Sequence, residues 1–89
     1  MLLSGKQLIG LPVKTKDGRH LGRIKDFELE TANGQIVKYI ISSSDLVKKI
    51  LARDLIIDQS QVLEINNRAM IVASGLVGDK ALVSDPIST

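Results

Sequence analysis

Three short pairs, Asp17-Gly18, Asn33-Gly34 and Asn66-Asn67, constrain this chain more than any other feature. Each tolerates the left-handed backbone that tight hairpin turns demand. Between them lie runs rich in Val, Ile and other strand formers. Leu11-Pro12-Val13-Lys14-Thr15 reads as a first strand, with Pro12 suited to its start or to an edge. A long second strand runs from Arg19 to Thr31 and a third from Gln35 to Ser42. Leu55-Ile56-Ile57, Gln61 to Ile65 and Ala69 to Ala73 read as three short ones. Ahead of them all, Ser4 as a cap predicts one helical turn over Gly5 to Ile9.

Two irregularities carry information. In the second strand Leu21, Phe27 and Leu29 share one parity and Ile24 the other, so a bulge is expected at Gly22 or near Lys25-Asp26. In the third, Ile36, Val37, Tyr39, Ile40 and Ile41 supply apolar residues of both parities, which predicts cover on both faces. After Ser42-Ser43-Ser44-Asp45, the residues Leu46, Val47, Ile50 and Leu51 recur at helical spacing. A helical insert over about 44–53 follows, with Lys48, Lys49 and Arg53 on its other side. The expected architecture is mainly all-β: a small six-stranded antiparallel β-barrel with one short helical insert, a form that removes exposed edges. The barrel is expected over residues 1–75, with a flexible C-terminal tail at 76–89.

The 89 residues suffice for one domain. Cysteine is absent, which excludes disulfides, thiolate catalysis and Cys-based metal sites. Twelve Lys and Arg against ten Asp and Glu leave a net charge of only +2, too little to define a strongly basic surface. No apolar run approaches the roughly 20 residues of a membrane helix, and Met1-Leu2-Leu3 lacks the basic and apolar regions of a signal peptide. A cytoplasmic location is expected. A domain this small without covalent staples often gains stability by pairing with a second copy.

Beyond the turns, Gly10, Val13, Gly18, Leu21, Gly22, Ile24 and Asp26, followed by Val62 and Ile65, stand in the order of a known pattern. A Gly, a Val, a turn with Gly, Leu-Gly-x-Val/Ile-x-Asp and a final Val-x-x-Ile hairpin resemble the PRC-barrel domain family. The match runs from about Lys6 to Ala73. The resemblance implies a six-stranded barrel whose relatives include the cytoplasmic domain of the photosynthetic reaction-centre H subunit and the C-terminal domain of a ribosome maturation factor. It implies protein–protein contact rather than catalysis.

Catalytic readings find little material. His20 follows a hairpin turn, where side chains are solvated, and has no thiol to activate. Asp26, Glu28 and Glu30 alternate opposite Phe27 and Leu29, the pattern of a wet outer face with Phe27 and Leu29 in the core. Gly18-x-x-x-Gly22 opens no helix and lacks the Gly-Lys-Ser/Thr of a nucleotide loop. No catalytic residue, metal ligand or cofactor site is assigned. The expected function is a non-enzymatic interaction or scaffolding module, homodimeric, with a protein partner. Val37, Tyr39, Ile41, Leu46, Val47, Ile50 and Leu51 are the candidate interface. Four buried aliphatic side chains would supply on the order of 6–10 kcal/mol before entropy costs. The alternative is an RNA- or ribosome-associated factor using Arg19, Arg23 and Lys25, although single-strand binders stack bases on aromatics and this chain has only Phe27 and Tyr39.

Overall fold

The computed structural model of the chain describes residues 1–44 and 54–74. The helical insert, apart from Ser44, and the C-terminal tail fall outside the described residues. The N-terminal turn forms as expected. Ser4 caps α1 (Gly5–Leu8): its hydroxyl accepts from the Gln7 amide at 3.2 Å, while the Gln7 side chain accepts from the Ser4 amide at 2.8 Å. The cap aims Leu8 into the core. The Gly10 amide then donates to the Ile24 carbonyl at 2.7 Å and ties this segment to the sheet.

Six strands follow: β1 (Pro12–Thr15), β2 (His20–Glu30), β3 (Gln35–Ser43), β4 (Leu55–Asp58), β5 (Val62–Ile65) and β6 (Met70–Val72). The turns sit where the dipeptides place them, but the first two are longer than two-residue loops, whereas the Asn66 amide donates to the Ala69 carbonyl at 3.1 Å and leaves Asn67-Arg68 between them. At Asp17-Gly18 the Gly18 amide donates to the Thr15 carbonyl at 2.9 Å, so Lys16 and Asp17 are the turn centre and Gly18, at φ +95°, follows it. The Thr15 hydroxyl decides this: it accepts from the Arg19 amide at 3.0 Å and donates to the Asp17 carboxylate. At Asn33-Gly34 a four-residue loop closes through the Gly34 amide and the Glu30 carbonyl, 2.7 Å apart, and the Asn33 side chain accepts from the Gln35 amide at 2.9 Å. Asn66 likewise accepts from the Arg68 and Ala69 amides at 2.8 and 3.0 Å.

The expected bulges are present. Leu21 is extra opposite β1, since Val13 pairs with Gly22 and Lys14 with His20. Lys25 is extra opposite β3, since Ile24 pairs with Ile41 and Asp26 with Ile40. Each extra residue reverses the parity of the strand. Leu21, Ile24 and Phe27 therefore all turn inward despite their odd spacing. Leu29 does not: it is 47% exposed, near the hairpin tip and past the end of the core. The core itself is built from Leu8, Leu11 and the inward residues of five strands, with Val13, Leu21, Ile41, Leu55, Ile57, Met70 and Val72 fully enclosed.

The sheet is not a closed antiparallel barrel. Its order is β4-β3-β2-β1-β6-β5, and β1 runs parallel to β6, Val13 opposite Met70 and Thr15 opposite Val72. The cause lies in the connection after β4. A 3₁₀ turn, Gln59–Gln61, replaces a hairpin there, so β5 pairs with β6 rather than with β4. β4 and β5 are left at opposite ends of one open, mixed sheet. Both ends are blunted, by the irregularity at Leu63 in β5 and by the Gln61 side chain accepting from the Asp58 amide at 2.8 Å.

Asp58 caps that 3₁₀ turn, accepting from the Ser60 hydroxyl at 2.6 Å and the Ser60 amide at 2.9 Å. The hydroxyl first, then the amide, holds its carboxyl below the ordinary value of 3.8. The unfolded chain therefore binds this proton more readily. The cap's contribution is complete above 3.8 and is lost as pH falls through the lower folded value. Asp58→Ala is expected to cost about 1 kcal/mol at neutral pH, a typical cap value. The deficit should shrink on acidification, as seen in urea melts at a series of pH values.

Candidate functional site: an apolar cleft beside the N-terminal turn

The sequence-predicted interface is dispersed by the structure. Tyr39 and Ile41 retain 2% and 0% of their surface, so both serve the core and offer little or nothing to a partner. Val37 is the bulged residue of β3 opposite Glu28 and Leu29, and is 37% exposed. This bulge also explains the two-sided apolarity of β3. Ile36 packs against the core before it, Tyr39 and Ile41 after it, and Ile40 lies on the opposite parity, paired with Asp26 and Ile56. Leu46, Val47, Ile50 and Leu51 lie outside the described residues.

The candidate RNA contacts fare unevenly. The Arg23 guanidinium donates to the Gly10 carbonyl at 2.9 Å, and Lys25 pairs with Asp54 at 2.8 Å. Asp54 raises the Lys25 pKa, through its hydrogen bond first and its charge second. Among the described residues, Arg19 alone of the three has a side chain without an intramolecular partner. His20 is exposed and opposite Lys14. Asp26 accepts from the Phe27 amide at 2.8 Å and Glu30 from the Ala32 amide at 3.3 Å, so two of the three acids serve their own backbone. Among the described residues no three His, Asp or Glu side chains are grouped to hold a metal ion.

What the structure does assemble is an apolar cleft of about 240 Å³, lined by Met1, Leu3, Leu8, Ile36, Tyr39 and Ile65. Four segments meet there: the N-terminal residues, α1 through Leu8, β3 through Ile36 and Tyr39, and β5 through Ile65. Tyr39 makes no hydrogen bond among the described residues, and no fully buried polar side-chain atom among them lacks a partner. Tyr39 keeps 2% of its surface and lines the cleft. Burial raises its pKa above the ordinary 10.0, which keeps the phenol neutral and able to donate. No Asp, Glu, Lys, Arg or His side chain lines the recess. Chemically, the side chains of the recess suit an apolar group.

Beside the cleft the chain exposes Met1 at 88% and Leu2 at 95%. Of the cleft's residues, sequence reasoning placed Ile36 and Tyr39 on the apolar strand expected to meet a partner and singled out Tyr39 among the candidates, for another reason. Leu3, Leu8, Ile36 and Ile65 come together only through the topology.

An open, mixed sheet of six strands with an apolar recess beside its N-terminal turn defines a small β-rich module. The chain belongs to the PRC-barrel domain family, whose model matches residues 2–76. No curated protein matched the chain. Among the described residues no helix is long and apolar enough to cross a membrane.

Proposed function

We propose that this PRC-barrel domain is a non-enzymatic, cytoplasmic protein–protein interaction module that forms a homodimer and docks a further protein. The observation that carries the reading is the apolar cleft beside exposed Met1 and Leu2. Contiguous apolar surface on so small a domain is expected where another chain covers it. Membership of the family supports the same direction.

Catalysis would call for titratable side chains converging on a recess, whereas the side chains lining this one are aliphatic, a thioether and a neutral phenol. The RNA-associated alternative has less support, because Arg23 and Lys25 already serve intramolecular contacts. The test is affinity purification of the tagged chain from its native cells, with mass spectrometry. Recovery of a protein, an untagged copy or another chain, at near-equimolar yield is the expected result. Ribonuclease-sensitive recovery of ribosomal components alone would favour the alternative.

A further inference from the structure

The chain holds three asparagines, Asn33, Asn66 and Asn67, and only Asn33 precedes a glycine. Asparagine is among the thermolabile residues of proteins. Deamidation begins when the amide nitrogen of the next residue attacks the side-chain carbonyl, and a side chain on that residue shields the nitrogen. Gly34 supplies no shield. Asn67 precedes Arg68, and Asn66 precedes Asn67. The Asn66 side chain is further held by the Arg68 and Ala69 amides and by its own bond to Glu64 at 2.7 Å. Asn33 and Gly34 are both exposed, in the loop between the two longest strands, β2 and β3.

Two hydrogen bonds restrain the pair. The Gly34 amide donates to the Glu30 carbonyl at 2.7 Å, and the Asn33 side-chain oxygen accepts from the Gln35 amide at 2.9 Å. The first engages the N–H that must be surrendered for the attack. The second ties the side-chain carbonyl to Gln35 instead of leaving it free to meet the Gly34 nitrogen.

We propose that Asn33 is a site of spontaneous deamidation that the closed loop holds in check, so that conversion proceeds only when the loop opens. In the open loop hydroxide takes the Gly34 amide proton, and the nitrogen bonds to the Asn33 side-chain carbonyl carbon. The carbon–nitrogen bond of the side-chain amide breaks, and ammonia leaves with a proton from water, which restores the hydroxide. A succinimide remains. Water opens it at either carbonyl, giving aspartate or isoaspartate at position 33. The sum is one water consumed and one ammonia released, with no change of oxidation state. Either product adds a carboxylate to the loop and lowers the net charge of +2 by one. Isoaspartate also lengthens the backbone of the loop by a methylene, between Glu30 and Gln35, which face each other across the hairpin. Ile36, next along β3, lines the cleft, so ageing of this loop bears on the candidate interaction surface.

The test incubates the full chain, folded and in guanidinium chloride, at one mildly alkaline pH. Peptide mapping with mass spectrometry follows each asparagine, and NMR amide exchange of the folded chain reads how often the Gly34 N–H is free. In denaturant Asn33 should convert about tenfold or more faster than Asn66 or Asn67, and Asn33→Gln should remove the conversion. Folding should slow Asn33 by about tenfold or more. Exchange at Gly34 should be slowed by the same factor within about threefold, because both reactions wait for one N–H. Equal rates at Asn33 in the folded and unfolded chain would overturn the gating. Conversion in the folded chain faster than Gly34 exchange allows would do the same. Comparable conversion of Asn66 or Asn67 in denaturant would overturn Asn33 as the site.

Discussion

Replacing Gly22 by alanine is expected to remove about 3 kcal/mol or more of folding free energy. Gly22 sits at φ +152°, a region that L side chains rarely enter, and it pairs with Ser43 across β2 and β3. A Cβ placed there would lie 2.0 Å from the Ser42 carbonyl oxygen and 3.0 Å from the Ile41 side chain. The nearest obstacle is backbone, so no rotamer change relieves it, and the two longest strands must move apart. A domain of this size has a total stability on the order of 5–10 kcal/mol. Thermal unfolding should therefore shift down by about 12 °C or more. Gly5→Ala is the control: its Cβ meets nothing within 4 Å, and alanine suits a helix better than glycine. A Gly22→Ala melt within a degree or two of wild type would mean that β2 does not approach β3 as described.

Ile41→Ala should cost about 2–5 kcal/mol, the range of large-to-small changes in packed cores. Ile41 has no exposed surface and stands opposite Ile24 on β2 and Leu55 on β4, so truncation opens a cavity bounded by three strands. Ile41→Val should cost only about 0.5–1.5 kcal/mol. The variant also separates core from interface. If Ile41 served a partner, its loss would weaken association and spare the fold. The expected result is the reverse: a much lower denaturant midpoint, with dimer affinity unchanged for the fraction still folded.

Much of this fold is legible in the residues, for local reasons. Asp17-Gly18 and Asn33-Gly34 mark the turns because few other pairs accept the backbone needed, although the Thr15 hydroxyl lengthens the first loop in a way the dipeptide does not announce. The broken alternation around Ile24 locates the bulges because parity reversal is their signature. The same rule misleads at β3, where apolar residues of both parities suggest two buried faces. There the bulge at Val37 carries Ile36 and Tyr39 to one side.

Long-range features leave weaker marks. The parallel pairing of β1 with β6 joins residues far apart in sequence, and nothing local in Val13 or Met70 encodes it. The opening of the sheet depends on a 3₁₀ turn that Asp58 and Gln61 cap. The cleft is the least legible element, because its lining comes from four separate segments, each ordinary alone. At Gly22 the sequence suggests a bulge, and the close approach of the Ser42 carbonyl emerges only from the paired strands.

The central claim is that the cleft face is the contact surface of this domain. Amide chemical shifts followed by NMR over a dilution series test it most directly. Concentration-dependent shifts should concentrate at Leu2, Leu3 and Leu8, at Ile36 to Tyr39 and around Ile65, and should vanish in Leu2→Asp. Spectra that do not change with concentration, or shifts confined to the Lys25–Asp54 side of the sheet, would contradict the account.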